Sequence, residues 1–82
     1  MTETAAAREL YVRHAKRDGR SIAVLRAIDH GSRCVVETDV FSSTDERAVK
    51  RPYRFADSRA ATAFVTDAVE TLMYLGCEVF AE

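Results

Sequence analysis

RAATAFVTDAVETLMYL, residues 59–75, is the stretch on which the fold turns. Ala61, Phe64, Val65, Ala68, Leu72 and Leu75 recur at helical spacing, while Thr62, Thr66, Asp67, Glu70 and Thr71 fall on the opposite side. That pattern is a helix with one buried stripe. Asp57 or Ser58 is placed to cap its start, a side-chain oxygen accepting from the first free backbone N–H groups, and Gly76 to end it as a left-handed residue. At about 1.5 Å per residue such a helix is roughly 25 Å long, matching seven or eight strand residues at about 3.3 Å, so it can lie across a sheet.

The sheet is upstream. Glu9 to Lys16 alternates, and Arg17-Asp18-Gly19-Arg20 supplies the Asp-Gly pair favoured in a two-residue type I′ hairpin, where both central residues need positive φ. Ser21 to Ile28 is a second strand, Asp29-His30-Gly31-Ser32 a second tight turn, and Arg33 to Phe41 a third strand. A polar loop, Ser42 to Ala48, leads to Val49 to Phe55, with Val49, Tyr53 and Phe55 toward the core. Pro52 cannot donate to a ladder and puts this fourth strand at an edge. Met1 to Arg8 has nothing to pack against and reads as a frayed lead-in, and Cys77 to Ala81 is suited to a short final strand. The expected architecture is α+β: an antiparallel meander of three to four strands with one C-terminal amphipathic helix on one face, in a single domain over residues 1–82.

With two-residue turns, paired positions sum to 37 in the first hairpin and 61 in the second, which separates the faces. Leu10, Val12, His14, Ala23, Leu25, Ala27, Cys34, Val36, Thr38 and Val40 share the side that takes the helix. The opposite side gathers Tyr11, Arg13, Ala15, Ile22, Val24, Arg26, Ile28, Arg33, Val35, Glu37, Asp39 and Phe41, with Lys50 and Arg54 joining from the fourth strand. One helix covers one face only, so this second, partly apolar face lacks a cover within the chain.

Composition narrows the function classes. A chain of 82 residues with 48 % hydrophobic content is a small globular domain rather than a disordered one, and gains from self-association. The net charge of −1 excludes the global basicity of a dedicated duplex-DNA binder. Its distribution is uneven: residues 8–33 hold seven Arg/Lys against three acids and 47–54 hold four against none, while 34–46 and 55–82 each net −4. Cys34 and Cys77 lie in apolar strand-like runs, not in a C-x-x-C pair, and read as buried free thiols of a cytoplasmic protein. No apolar run reaches the roughly 20 residues of a membrane span.

No catalytic, nucleotide or cofactor motif is present in the sequence, and a non-enzymatic role is the expectation. His14, Cys34 and Cys77 could share the core face, but a hydrogen-bonded histidine beside two inert thiols accounts for them without a metal. Glu37 and Asp39 share a face yet have Val24, Ile22 and Arg26 as expected neighbours, which suits solvated or paired charges better than acid–base work. Ser42, Ser43 and Thr44 are turn residues without a nearby histidine base.

The open face is where function is expected. Tyr11, Ile22, Val24, Ile28, Val35 and Phe41 together would make an apolar patch larger than most monomers leave in water. A second copy of the chain is the first expected cover, making the protein a homodimeric interaction module. A protein partner, or a small apolar ligand under a loop, would suit the mixed charge equally. Single-stranded nucleic acid is the alternative, with bases on Tyr11 and Phe41 and phosphates on Arg13, Arg26, Arg33, Lys50 and Arg54. In element order, residues 9–75 resemble the strand-meander-then-helix unit of PUR-type and Whirly single-stranded DNA binders. That resemblance implies nucleic-acid binding on the sheet, against which Glu37 and Asp39 would repel phosphate.

Overall fold

The structure is a computed structural model that describes residues 7–42 and 48–82. Its elements are β1 (Arg8–Arg17), β2 (Arg20–Asp29), β3 (Cys34–Phe41), β4 (Ala48–Phe55), α1 (Ser58–Tyr74) and β5 (Glu78–Ala81). Among the described residues the strands form one antiparallel sheet in the order β4-β3-β2-β1-β5, with α1 packed on one face. The α+β expectation holds, including the short final strand, which pairs at the β1 edge. Most of the expected lead-in and of the polar loop, at residues 1–6 and 43–47, lies outside the described residues. Arg8 belongs to β1 and Ala48 to β4.

The first turn forms as its chemistry requires, Asp18 at φ 53° and Gly19 at φ 78°. The second closes one residue later than expected. The His30 N–H donates to the Arg33 carbonyl at 2.9 Å, Gly31 stands at φ 90°, and the Asp29 carboxylate accepts the Gly31 N–H at 2.8 Å. Paired positions of β2 and β3 therefore sum to 63 rather than 61: Ile28 faces Val35, Arg26 faces Glu37 and Val24 faces Asp39. A slip of two leaves every side chain on its expected face and changes only its neighbour. It also leaves Arg33 in the turn rather than on the strand.

The β1–β2 pairing departs further. Next to the turn the sum is 37, as at Arg17 with Arg20 and Lys16 with Ser21, but from Ala15 with Ala23 to Tyr11 with Ala27 it is 38, returning to 37 at Glu9 with Ile28. Two irregularities cause this: Ile22 is an extra residue on β2, and Leu10 an extra residue on β1. Between them the strand is turned over. Tyr11, Arg13 and Ala15 stand on the helix side, and Val12 and His14 on the open side, the reverse of the sequence expectation. Ile22 packs against the cluster of Ala15, Ala23 and Cys77, while still lining a surface recess with Ser21 and Phe41.

The turned-over segment solves a packing problem. Beneath the end of α1 the regular register would oppose His14 to Ala23; the observed one opposes Ala15, fully buried, to Ala23, with Cys77 and Leu72 against them. Two alanines admit the close approach of the chain leaving the helix, and the imidazole escapes burial without partners. On the open side its ring nitrogens lie 2.9 Å from Glu82 Oε2 and 2.8 Å from Ser21 Oγ. His14 and the two thiols thus occupy opposite faces, which dissolves the conceivable metal triad.

Asp57 caps α1, its Oδ1 accepting the Ala60 N–H at 2.9 Å. At the other end the Cys77 N–H donates to the Leu72 carbonyl and the Gly76 N–H to the Met73 carbonyl, both at 3.0 Å, with Gly76 at φ 95°. This is a Schellman motif, and Leu72 against Cys77 is its hydrophobic contact. The main core joins Leu25, Ala27, Cys34 and Val36 of the sheet to Ala61 and Val65 of the helix, with Phe64 against Tyr53 and Phe55 at ring-centroid distances of 4.8 and 5.3 Å.

The helix starts beside the end of β4 and finishes at β5 on the opposite edge, so it crosses the sheet diagonally. Among the described residues nothing covers the far corner of β3 and β4. Val49, expected in the core, is 62 % exposed there beside Val40, and Leu75, expected in the helix stripe, is 56 % exposed at the C-cap.

Candidate interaction face

The face turned away from α1 is built from alternate residues of the strands. Its centre is aliphatic: Ile28 pairs with Val35, and Val12 and Val24 continue the patch toward β1. Val12 is 5 % and Val35 7 % exposed although no described element lies over them, so neighbouring side chains close over the middle of the sheet. Phe80 stands opposite His14 at the β5 edge and is exposed; Phe41 is half-buried at the far end of β3.

Around this centre the charges pair among themselves. Arg26 Nε donates to Glu9 Oε1 at 3.1 Å, and its Nη1 is 3.9 Å from Glu37 Oε1, so one guanidinium bridges two carboxylates across three strands. Lys50 Nζ lies 3.2 Å from Asp39 Oδ1. With Arg54 opposite Val35, three cations match three carboxylates on this part of the face. Exposed pairs of this kind add little stability, but they leave this part of the face without net charge.

Of the residues expected here, Val24, Arg26, Val35, Phe41, Lys50 and Arg54 are on the face. Arg33 is in the β2–β3 turn, Ile22 is drawn toward the core, and Tyr11 and Arg13 point the other way. Sequence reasoning overlooked Glu9, Val12 and Phe80. The alternation of Cys77 to Ala81 against β1 is the signal for Phe80; for Val12 there is none, because Leu10 and Val12 alternate like any half-buried strand.

Tyr11 and Arg13 instead line a groove between β1 and α1. The Tyr11 hydroxyl is 2.9 Å from Thr62 Oγ1, the Arg13 guanidinium carbon is 5.0 Å from the Tyr11 ring centroid, and Arg13 Nη1 donates to the Val12 carbonyl at 2.9 Å. Among the described residues no three His, Cys, Asp or Glu side chains gather as a metal site, and no helix is long and apolar enough to cross a membrane. Comparison with known protein families, curated proteins and solved structures finds no match to this chain.

Proposed function

We propose that this protein is a small non-enzymatic interaction module that self-associates through the open sheet face, two copies packing face to face about a twofold axis. The observation that carries this reading is an aliphatic centre closed only by its neighbouring side chains, with no described element of the chain over it, ringed by charges that are already balanced on the same face. An isologous interface brings each patch against its own image, so a face with net charge would repel itself, whereas one with matched cations and carboxylates meets its copy without penalty. Aliphatics at the centre and charges at the rim follow the usual anatomy of an interface, and a sheet-on-sheet contact of this kind would bury about 1,200 Å² or more in total. Buried free thiols at Cys34 and Cys77 suit the reducing cytoplasm.

Single-stranded nucleic acid draws less support from the same geometry. Tyr11 and Arg13, one of its two stacking rings and one of its cations, stand on the helix side, and Arg26 and Lys50 are engaged by carboxylates. The test is solution mass by light scattering over a concentration series, for the wild type and for Val24→Lys, with and without a mixed-sequence single-stranded oligonucleotide. A dimer that Val24→Lys converts to monomer and that ignores the oligonucleotide is the expected result. A wild type that stays monomeric, or a Val24→Lys variant that stays dimeric while Val49→Lys dissociates, would move the contact away from this face; a gain of mass with oligonucleotide would restore the nucleic-acid reading.

A further inference from the structure

The groove between β1 and α1 carries an arrangement that self-association through the opposite face does not use. Its volume is about 340 Å³, within the roughly 300–1,000 Å³ usual for small-molecule sites. Half-buried Val69 supplies its exposed apolar part above the buried Val65, Tyr11 and Arg13 come from the sheet, and Thr66 and Glu70 come from the helix. The two bulges of the β1–β2 hairpin put Tyr11 and Arg13 there, and bulges beside functional sites commonly re-aim side chains in this way.

Arg13 is held in place. The Tyr11 ring lies under its guanidinium, and Tyr11 is tied in turn to Thr62. The bond to the Val12 carbonyl uses one of the five N–H donors of the fork, and among the described residues no carboxylate takes the others. Glu70 likewise has no cationic partner among the described residues. A fixed cation and an anion thus line one groove without pairing to each other, with aliphatic surface beside them. That is the complement of a ligand bearing both charges and an apolar tail.

We propose that this groove binds a small apolar α-amino acid. The α-carboxylate is received by the Arg13 fork, whose planar geometry matches it; the ammonium group is received by Glu70, and the side chain rests on Val69. Both charges of the ligand are then neutralised by groups of opposite sign, and the apolar contact selects against the more polar members of the class.

Amide chemical shifts of the isotope-labelled protein, followed while L-leucine, L-valine and L-phenylalanine are each added to millimolar concentration, test this directly. Saturable shifts at residues 11–13 and 62–70 are expected with at least one of them. 4-Methylpentanoate lacks the ammonium group and isopentylamine lacks the carboxylate; each should bind at least about tenfold more weakly than leucine, the difference made by losing one charged contact. Arg13→Gln and Glu70→Gln should each weaken leucine binding by a similar factor. Glu70 is exposed on the helix, so its variant answers the question even if Arg13→Gln disturbs the sheet. No saturable shift with any of the three amino acids, equal binding of a singly charged analogue, or an unchanged affinity in Glu70→Gln would overturn the proposal.

Discussion

The Tyr11 hydroxyl and Thr62 Oγ1 lie 2.9 Å apart, joining the first strand to the helix across 51 positions of sequence. Each would be a surface residue in an unbulged sheet. The bond is solvent-accessible, so its net worth is toward the lower end of about 0.5–1.5 kcal/mol. Tyr11→Phe should lower stability by about that amount in urea denaturation, and a double-mutant cycle with Thr62→Val should give a coupling of the same size. Fully additive single effects would mean that the two hydroxyls merely sit side by side.

Gly76 at φ 95° ends α1. A Cβ built there would meet only Arg17 Nε, at 3.8 Å, which is ordinary contact. Backbone conformation rather than crowding therefore sets the cost of Gly76→Ala, and a left-handed residue with a side chain costs roughly 1–2 kcal/mol. Thermal unfolding should register a loss of that order. Gly76→Asn, which tolerates this region better, should lose less; an equal loss would point to the Schellman hydrogen bonds being broken by both.

Cys34 is 1 % exposed, and burial pushes its thiol above the ordinary value of 9.0, with the Asp29 carboxylate next in effect and Asp57 adding to it, against a backbone hydrogen bond from Val35. The sign for stability follows. Above about pH 9 the unfolded chain releases this proton while the folded chain keeps it, so the unfolded state binds fewer protons and stability falls as pH rises; below that pH the contribution is constant. Denaturant midpoints measured at neutral pH and near pH 10 should differ by less in Cys34→Ala than in the wild type. An identical pH slope in both would assign the alkaline loss to other groups.

The element types were legible because they rest on local chemistry. Asp18-Gly19, Asp57, Gly76 and the period of residues 59–75 each specify one backbone event, and each occurs where read. The side of β4 that meets the core was legible too, since Tyr53 and Phe55 alternate with Lys50, Pro52 and Arg54. What escaped depends on contacts distant in sequence. Whether Ala15 or His14 belongs opposite Ala23 is decided by Leu72 and Cys77, more than fifty residues away, and the bulges that make the choice leave no mark in the alternation of residues 9–16. The exposure of Val49 and Leu75 likewise follows from the diagonal of the helix, which strand and helix lengths alone do not set. Most of the misplacement at the candidate face, at Tyr11, Arg13, Ile22 and Val12, thus comes from one hairpin.

That hairpin also carries a rule about chain length. Leu10 and Ile22 have no opposite number in the ladder, so a shorter relative missing either one would keep every backbone pair seen between β1 and β2 and every side chain on its present face. Loss of a single residue at Val12, Arg13 or His14 instead puts the remaining strand out of phase, moving arginine and tyrosine across the sheet. Deletions in this protein therefore keep the β1–β2 ladder when they fall on the two supernumerary positions, losing only the packing of Leu10 or Ile22, and break its phase when they fall on the five residues from Tyr11 to Ala15.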